Sequence, residues 1–336
     1  MWSPSRCQFP KIGLFSLFFA ACFLAGAARA DELPTVRIGT LKFGTVNWEL
    51  DVMARHGLDK AHGFALKPMD FAGKDGAAVA LQGGEVDVIL TDWLWVAKRR
   101  SAGGDFAFVP HSHVTGALMV RKDAGIAGLA DLKGKKIGIG GGPADKSWIL
   151  LRAFAQKTAG FDPAKDSTPV FAAPPLLNET LKRGEVPASL NFWQYNARLD
   201  PAQVGELVTL EDMLPALGLP KDMPLLGWVF AAKWAKDHPA EAKAWLAAAA
   251  EARNLLATKP EEWQAIRKLT GADSDETLAR LRTAYIRGIG EDTVPPAQRE
   301  SQAQRMIDLL IQLGDKDEAP ADGKIPPGTF FAGSAS

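Results

Sequence analysis

Short apolar segments alternate with segments of helical spacing over the first two thirds of the chain. Glycine, proline or charged residues separate them, and each apolar segment is short enough for a buried strand. Strands that alternate with helices of about ten residues are typical of βαβ units in a mostly parallel sheet. The sequence therefore predicts an α/β fold. Its predicted strands are Val36–Leu41, Phe64–Phe71, Val86–Leu90, Phe106–Pro110, Ile137–Ile139, Val170–Ala173 and Gly227–Ala232.

The segments between these strands carry helix signals. Asn47 is a candidate N-cap of the first helix and Gly57 its candidate C-terminal glycine. After Leu226 helices dominate, with proline at helix starts and acidic residues in first turns. The tail, residues 316–336, is rich in Asp, Pro, Gly and Ser, so we expect it to be loosely ordered. The other predicted helices are Ala77–Leu81, Leu94–Ala102, Ile149–Ala159, Leu176–Arg183, Pro239–Ala257, Pro260–Leu269, Ser274–Gly288 and Pro296–Leu313.

One segment recurs at an offset of 100 residues. Leu81–Leu90 and Leu181–Leu190 share a leucine at each end and the tripeptide Gly-Glu-Val between them. Trp93 follows one copy and Trp193 follows the other. Either two short units resemble each other by chance, or two similar lobes present matching loops to a ligand. In the second case one indole would stack on each side of the ligand.

A glycine cluster lies between a predicted strand and a predicted helix within Asp131–Trp148. Free N–H groups and the positive dipole end at a helix start suit a polar or anionic ligand group. A phosphate-binding P-loop is excluded because Asp145 precedes the Lys-Ser pair, where that motif needs glycine. A dinucleotide fingerprint is excluded because Pro143 stands at its late glycine. A ligand-binding loop and a plain sharp turn remain as alternatives.

Residues 1–30 have the pattern of a secretory signal peptide. Arg6 and Lys11 precede an apolar run, which ends in the cleavage-site pattern Ala-Arg-Ala at Ala30. The apolar run is shorter than the roughly 20 residues of a membrane-spanning helix. We therefore predict cleavage after Ala30 and a periplasmic location. Lipidation at Cys22 stays open as an alternative, although the preceding Phe-Ala-Ala is a poor lipobox.

The mature chain would contain no cysteine, because Cys7 and Cys22 precede the predicted cleavage site. Disulfides, thiol catalysis and cysteine metal sites are thereby excluded. Cleavage would remove three of the 39 basic residues and none of the 39 acidic ones, which leaves a net charge of about −3. No basic patch stands out, so we expect no nucleic-acid partner.

Several motifs together resemble the nitrate/taurine/aliphatic-sulfonate substrate-binding proteins of ABC importers. The motifs are the RIGT strand, LQGGEVD at Leu81–Asp87, VRKD at Val120–Asp123 and DLKGKKIGI at Asp131–Ile139. The resemblance extends from the signal peptide to about Leu313. It implies a periplasmic binding protein of the second topological class, with two α/β lobes that close on a ligand in the Venus-flytrap manner.

Carried over to this chain, the resemblance places lobe one at residues 34–119 plus 226–315 and lobe two at 120–225. Crossovers near Met119–Arg121 and Leu225–Gly227 would form a two-strand hinge. The implied function is capture of a small-molecule solute and its delivery to an ABC permease in the inner membrane. We expect a monomer without a cofactor. One departure from the family pattern is Pro187 after Gly-Glu-Val, where the family usually has an acidic residue.

The resemblance also places the ligand contacts in loops at the strand ends. Asp75, Asp92 and Asp145 on these loops disfavour a simple anion, while nearby tryptophans favour a planar or aromatic solute with a cationic or N–H face. A sulfonate-like ligand remains the alternative. The predicted ligand-binding residues are Lys42, Gly44, Thr45, Lys74, Asp75, Thr91, Asp92, Trp93, His113, Thr115, Gly142, Asp145, Ser147, Asn191 and Trp193.

Two other classes of protein are considered. A periplasmic ligand sensor would use the same fold and leave the same sequence pattern. A metal-dependent enzyme would need a ligand set, and His111 and His113, spaced for one face of a strand, could bind zinc together with Asp92. We expect no metal and no catalysis, because this is the only histidine cluster in the sequence and its carboxylate candidate is distant along the chain.

Overall fold

A computed structural model describes residues 32–113, 115–143, 145–289, 294–313 and 316–333. The predicted signal peptide, its cleavage site at Ala30 and the lipidation candidate Cys22 lie outside the described residues. None of the helices within the described ranges has the length and apolar character needed to cross a membrane.

The strands form two five-stranded sheets. The first sheet has the order β2-β1-β3-β10-β4 and the second β7-β6-β8-β5-β9. Their bounds are β1 Thr35–Leu41, β2 Ala65–Phe71, β3 Val88–Asp92, β4 Phe106–Ser112, β5 Gly116–Arg121, β6 Lys136–Gly140, β7 Thr168–Ala172, β8 Ala188–Phe192, β9 Val204–Thr209 and β10 Leu226–Ala231.

Helices connect the strands and cover both sheets. Their bounds are α1 Val46–His56, α2 Leu58–Ala61, α3 Lys74–Gln82, α4 Trp93–Ser101, α5 Lys146–Ala159, α6 Pro163–Asp166, α7 Pro174–Lys182, α8 Trp193–Asn196, α9 Leu210–Ala216, α10 Ala232–Asp237, α11 Pro239–Thr258, α12 Pro260–Ala265, α13 Arg267–Thr270, α14 Asp275–Arg287 and α15 Pro296–Gln312. Two 3₁₀ turns occupy Leu129–Leu132 and Lys316–Glu318.

Both sheets combine parallel and antiparallel pairing in the same order. The strands β1, β2 and β3 are parallel, and so are β6, β7 and β8. The fourth strand of each sheet, β10 in the first and β5 in the second, is antiparallel to both of its neighbours. The consecutive strands β5 to β9 form the second sheet, whereas β10 returns to the first. The chain therefore passes twice between the sheets, after β4 and before β10. This topology confirms the predicted two-sheet α/β fold.

The first passage lies earlier than the sequence predicted. Met119–Arg121 is inside β5, whose pairing with β8 already begins at Gly116. Residues 116–119, assigned to lobe one, thus belong to the second sheet, because their backbone hydrogen bonds are made there. The predicted second crossover, Leu225–Gly227, coincides with the start of β10.

The internal repeat is structural. α3 and α7, and β3 and β8, occupy positions exactly matched at the offset of 100 residues. Gly84 and Gly184 both have positive φ, 72° and 75°, where glycine is favoured. Trp93 and Trp193 are the first residues of α4 and α8. Each sheet therefore contains one copy of the same helix–turn–strand unit.

The first sheet is buried largely by the C-terminal helices. Trp245 of α11 and Trp263 of α12 are almost fully buried beside Trp48 of α1 and Phe230 of β10. The indole N–H of Trp263 donates to the carbonyl of Leu256 at 2.8 Å, so its polar atom is satisfied. This packing places α11 and α14 next to the end of β4.

Two local predictions are wrong. The tail packs on the first sheet instead of being loosely ordered: Phe330 is buried, and the amide of Phe331 donates to the carbonyl of Phe108 at 2.9 Å. An aromatic pair in a polar segment supplied this anchor. Asn47 does not cap α1, which begins at Val46; its amide group donates to the carbonyl of Leu41 at 3.0 Å and braces the loop.

Candidate functional site

A small cavity, about 30 Å³, lies beside the ends of β3, β4 and β10. Thr45 and Glu49 reach it from the start of α1, and Arg253 and Tyr285 reach it from α11 and α14. Trp193 comes from the second sheet, so both halves of the fold contribute to the wall. The full lining is Thr45, Glu49, Leu90, His111, Ser112, Trp193, Leu226, Arg253, Ala284, Tyr285, Gly288 and Ile289.

Glu49 is the centre of a buried polar network in this wall. Its Oε1 accepts a hydrogen bond from the Tyr285 hydroxyl at 2.7 Å and lies 3.1 Å from Nε2 of His111. Arg253 donates to the carbonyl of His111. Oε2 of Glu49 is buried and has no hydrogen-bond partner. A buried carboxylate oxygen without a donor is costly, and a ligand N–H group or cation would satisfy it.

The charges of this network are well defined. Burial opposes ionisation of Glu49, but the charge and hydrogen bond of His111, the Tyr285 hydroxyl and the charge of Arg253 lower its pKa overall. Burial and the adjacent carboxylate raise the pKa of Tyr285 well above 10.0. Glu49 is therefore an anion at neutral pH and Tyr285 remains a neutral donor.

Aromatic rings complete the wall. The Trp193 ring meets Trp48 edge-on at 5.8 Å and lies 6.2 Å from Tyr285. Trp263 supports both partners from behind, at 5.7 Å from Trp48 and 5.4 Å from Tyr285. Trp193 is held at its backbone as well, since its amide donates to the carbonyl of Thr115 at 3.2 Å. The cavity lining thus combines a carboxylate with aromatic side chains.

The passage from β4 to β5 adds two unsatisfied groups. Nδ1 of His113 and Oγ1 of Thr115 are buried without a hydrogen-bond partner. The His113 amide donates to the carbonyl of Gly288, a cavity residue, at 3.3 Å. These two predicted ligand contacts therefore have free hydrogen-bonding capacity next to the cavity wall.

A second polar group lies at the start of α5. The amide of Ser147 donates to Asp145 at 2.9 Å, so Asp145 caps this helix. Burial raises the pKa of Asp145, although the Ser147 hydrogen bonds and the charges of Lys74 and Lys146 act in the opposite direction. Several predicted residues from different loops thus come together here, including Lys74, Asp92 and Asp145.

Among the fifteen predicted contacts, Thr45 and Trp193 line the cavity. Lys42, Lys74 and Asp75 are exposed at the surface, and Gly44 and Gly142 lie in half-buried turns. Thr91 is buried within β3. The remainder of the set stays a prediction, apart from one of the three residues whose side chains have other roles.

Those three side chains have roles in the fold: Trp93 is too deeply buried for the predicted contact, whereas ligand contact of Asp92 and Asn191 stays a prediction. Trp93 is 1% exposed and packs on Phe330 at 6.0 Å, so it belongs to the core and forms no clamp with Trp193. Asp92 caps α4 by accepting from the amide of Trp95 at 2.9 Å. Asn191 is buried, and its amide group donates to the carbonyl of Pro174 and to Asn178, both at 3.0 Å. The side-chain amide of Asn191 and one carboxylate oxygen of Asp92 thus have partners within the fold.

Sequence reasoning missed the residues that form the network. The sequence pattern gives no function to Glu49, and it suggests His111 only as half of a zinc pair. Arg253 and Tyr285 lie on helices that were assigned no function. The available signal was a glutamate directly after a tryptophan, on the face of α1 that buries Trp48. Among the described residues, no group of three or more His, Cys, Asp or Glu side chains could hold a metal ion.

Solved structures with this fold are numerous. The periplasmic aliphatic sulphonate-binding protein SsuA from Escherichia coli has a TM-score of 0.69 and 20% identity, over 89% of this chain and 94% of that chain. The alkanesulfonate-binding SsuA from Xanthomonas axonopodis pv. citri, bound to MOPS, has a TM-score of 0.65 and 18% identity, over 85% of this chain and 95% of that chain. The periplasmic nitrate-binding protein NrtA from Synechocystis PCC 6803 has a TM-score of 0.55 and 15% identity, over 89% of this chain and 93% of that chain.

These similarities confirm the fold class: the chain has the two-sheet α/β fold of these binding proteins. A comparison with curated proteins gives no match. The family model described as NMT1/THI5 like matches residues 60–263, which is more than half of the chain. Together with the solved structures, it confirms the predicted resemblance to the nitrate, taurine and sulfonate type. The chain therefore belongs to the NMT1/THI5-like family.

Proposed function

We propose that this protein is the solute-binding component of an ABC importer, exported to the periplasm, that encloses a small organic solute and delivers it to a membrane permease. The observation that carries the proposal is the lining of the cavity. Most of its residues belong to the half of the fold that contains the first sheet, and Trp193 belongs to the half that contains the second. A solute held there contacts both halves of the fold. Binding then favours the closed arrangement over an open one, which is how such a protein signals occupancy.

The chemistry of the cavity favours a planar solute with N–H groups or positive charge. Glu49 supplies an ionised carboxylate with one unpartnered oxygen, and Trp193 supplies a stacking surface. A nitrate or sulfonate group beside Glu49 would meet a like charge in a buried place, at a cost that Arg253 offsets only in part. The charge and rings of the lining therefore favour an aromatic or heterocyclic solute over a bare small anion, and the cavity, about 30 Å³, must widen to admit it.

No catalytic function is proposed. The neighbours SsuA and NrtA are described as binding proteins. A periplasmic sensor with the same fold is the second candidate, and it would bind the same solute.

Two measurements test the proposal. Protein purified in the folded state is unfolded, and mass spectrometry identifies any released small molecule. Calorimetric titrations then compare nitrate, taurine and a panel of aromatic nitrogen heterocycles. We expect micromolar binding of a heterocycle; binding of taurine or nitrate alone contradicts the assignment of the solute class. Loss of solute uptake after deletion of the cognate permease supports an importer. Unchanged uptake after that deletion, together with a transcriptional response to the solute that is lost when this protein is deleted, supports a sensor.

A further inference from the structure

The C-terminal segment carries a glutamate to the second half of the fold. Glu318 ends the 3₁₀ turn that follows α15. The segment around it is fixed to the first sheet: the amide of Ala321 donates to Ser101 of α4 at 3.3 Å, and Arg100 donates to the carbonyl of Pro327 at 2.8 Å. Phe330 packs on Phe108 of β4. Glu318 therefore moves with the first sheet.

Its partner moves with the second sheet. Lys146 is the first residue of α5, which follows β6 and packs against α9. The Lys146 ammonium lies 3.0 Å from Oε2 of Glu318. The two side chains are only 18% and 20% exposed, so water screens this pair less than a surface ion pair. This ion pair connects the two halves away from the residues that line the cavity.

Charges of alternating sign surround the pair. Lys98 of α4 lies 3.9 Å from Oε2 of Glu318. Burial disfavours the charge on Lys146, but the charges of Asp92, Glu318 and Asp145 raise its pKa overall. Burial also disfavours the charge on Glu318, but Lys146, Lys98 and Lys74 lower its pKa overall. Both partners therefore remain charged over the neutral range.

We propose that Lys146 and Glu318 form a latch that stabilises the closed arrangement of the two sheets, with the C-terminal segment acting as the arm that carries the carboxylate. The inference rests on the lobe closure in the proposed function, and goes beyond it. Separating the sheets breaks this pair while the contacts of residues 321–331 with the first sheet stay intact. The latch thus acts on the ratio of closed to open molecules, independently of the identity of the solute.

The proposal can be tested without any solute. Lys60 of α2 and Lys135, before β6, are exposed and belong to different sheets, and the sequence after residue 30 has no cysteine. Spin labels on Lys60→Cys and Lys135→Cys report the distance between the sheets by double electron–electron resonance. Glu318→Gln removes the charge and keeps the shape of the side chain. Asp317→Asn, at the exposed neighbouring position, is the matched control.

We expect Glu318→Gln to lower the ratio of closed to open molecules by about three- to tenfold, the range of a partly buried ion pair, and Asp317→Asn to leave it unchanged. In the Lys146→Gln background the same substitution should have little further effect, because the pair is already broken. An unchanged distance distribution in Glu318→Gln overturns the latch. An undiminished effect in the Lys146→Gln background also overturns it, since another group then holds Glu318.

Circular dichroism of each variant checks folding. If Glu318→Gln fails to fold, Lys146→Gln replaces it as the single variant, with the same expected opening and the same refuting result. A solute that binds the wild type but leaves the distance distribution unchanged would contradict lobe closure, and thereby the proposed function. The effect of Glu318→Gln is measured without solute, whereas lobe closure is measured by adding solute to the wild type. Failure of the latch and failure of the proposed function can therefore be distinguished.

Discussion

The two tryptophans of the internal repeat should respond very differently to truncation. Trp93 is 1% exposed in the core around Phe330, whereas Trp193 is half-buried and edges onto Trp48. Trp→Ala at a fully buried site typically costs about 3–5 kcal/mol, because the cavity left behind is only partly filled. Trp193→Ala loses two edge contacts of about 0.5–1.5 kcal/mol each, reduced by its exposure. The same side chain is deleted in both variants.

Urea unfolding followed by circular dichroism measures this difference. Against a total stability of about 5–15 kcal/mol, Trp93→Ala should lower the urea midpoint strongly, on the order of 1–2 M. Trp193→Ala should lower it by less than half as much. The comparison of midpoints requires that both variants have the same m value, the slope of the free energy of unfolding against urea concentration. An equal or larger loss of stability in Trp193→Ala would refute the assignment of Trp93 to the core and Trp193 to the cavity.

Two further substitutions test the network and the packing of the fold. Glu49→Gln should cost about 1–3 kcal/mol at neutral pH, because the charge facing His111 and Arg253 is lost. The folded pKa of Glu49 is lowered, so its contribution is present above the ordinary value of 4.5 and is lost as the pH falls toward the folded pKa. The stability difference in urea titrations should therefore shrink on acidification; a difference that grows contradicts the network. Gly227→Ala should destabilise by about 3 kcal/mol or more, since a Cβ there meets the carbonyl oxygen of Val109 at 2.2 Å. Gly73→Ala, with open space around its Cβ, is the control, and equal melting temperatures of the two variants would be the contrary result.

The sequence predicted most of the fold because its signals are local. Apolar runs bounded by glycine located the parallel strands, and the repeat ending in Trp93 and Trp193 located the two matching units. The return of β10 to the first sheet depends on its pairing with β3 and β4 across more than 100 residues, which no local pattern encodes. The prediction for the tail was wrong for a similar reason: its composition is polar, and its packing depends on contacts of Phe330 and Phe331 with the distant strand β4.

The candidate site was less predictable than the fold. Of the residues predicted in the loops at strand ends, Thr45 and Trp193 line the cavity. The charged network instead joins Glu49, His111, Arg253 and Tyr285, which come from four elements distant along the chain. A tryptophan after a strand also has two possible environments, and only the surrounding packing distinguishes core from cavity. Trp93 has Phe330 against it, whereas Trp193 faces the space beside Tyr285.

The central claim, that a solute is held against Trp193 in the cavity between the sheets, is tested most directly by calorimetry. The solute released from the folded wild type is titrated into solute-free wild type and into Trp193→Ala. The account predicts micromolar affinity in the wild type and a loss of about 1–3 kcal/mol in the variant, which is roughly 5- to 150-fold. Equal affinity of the two proteins for that solute would contradict the claim.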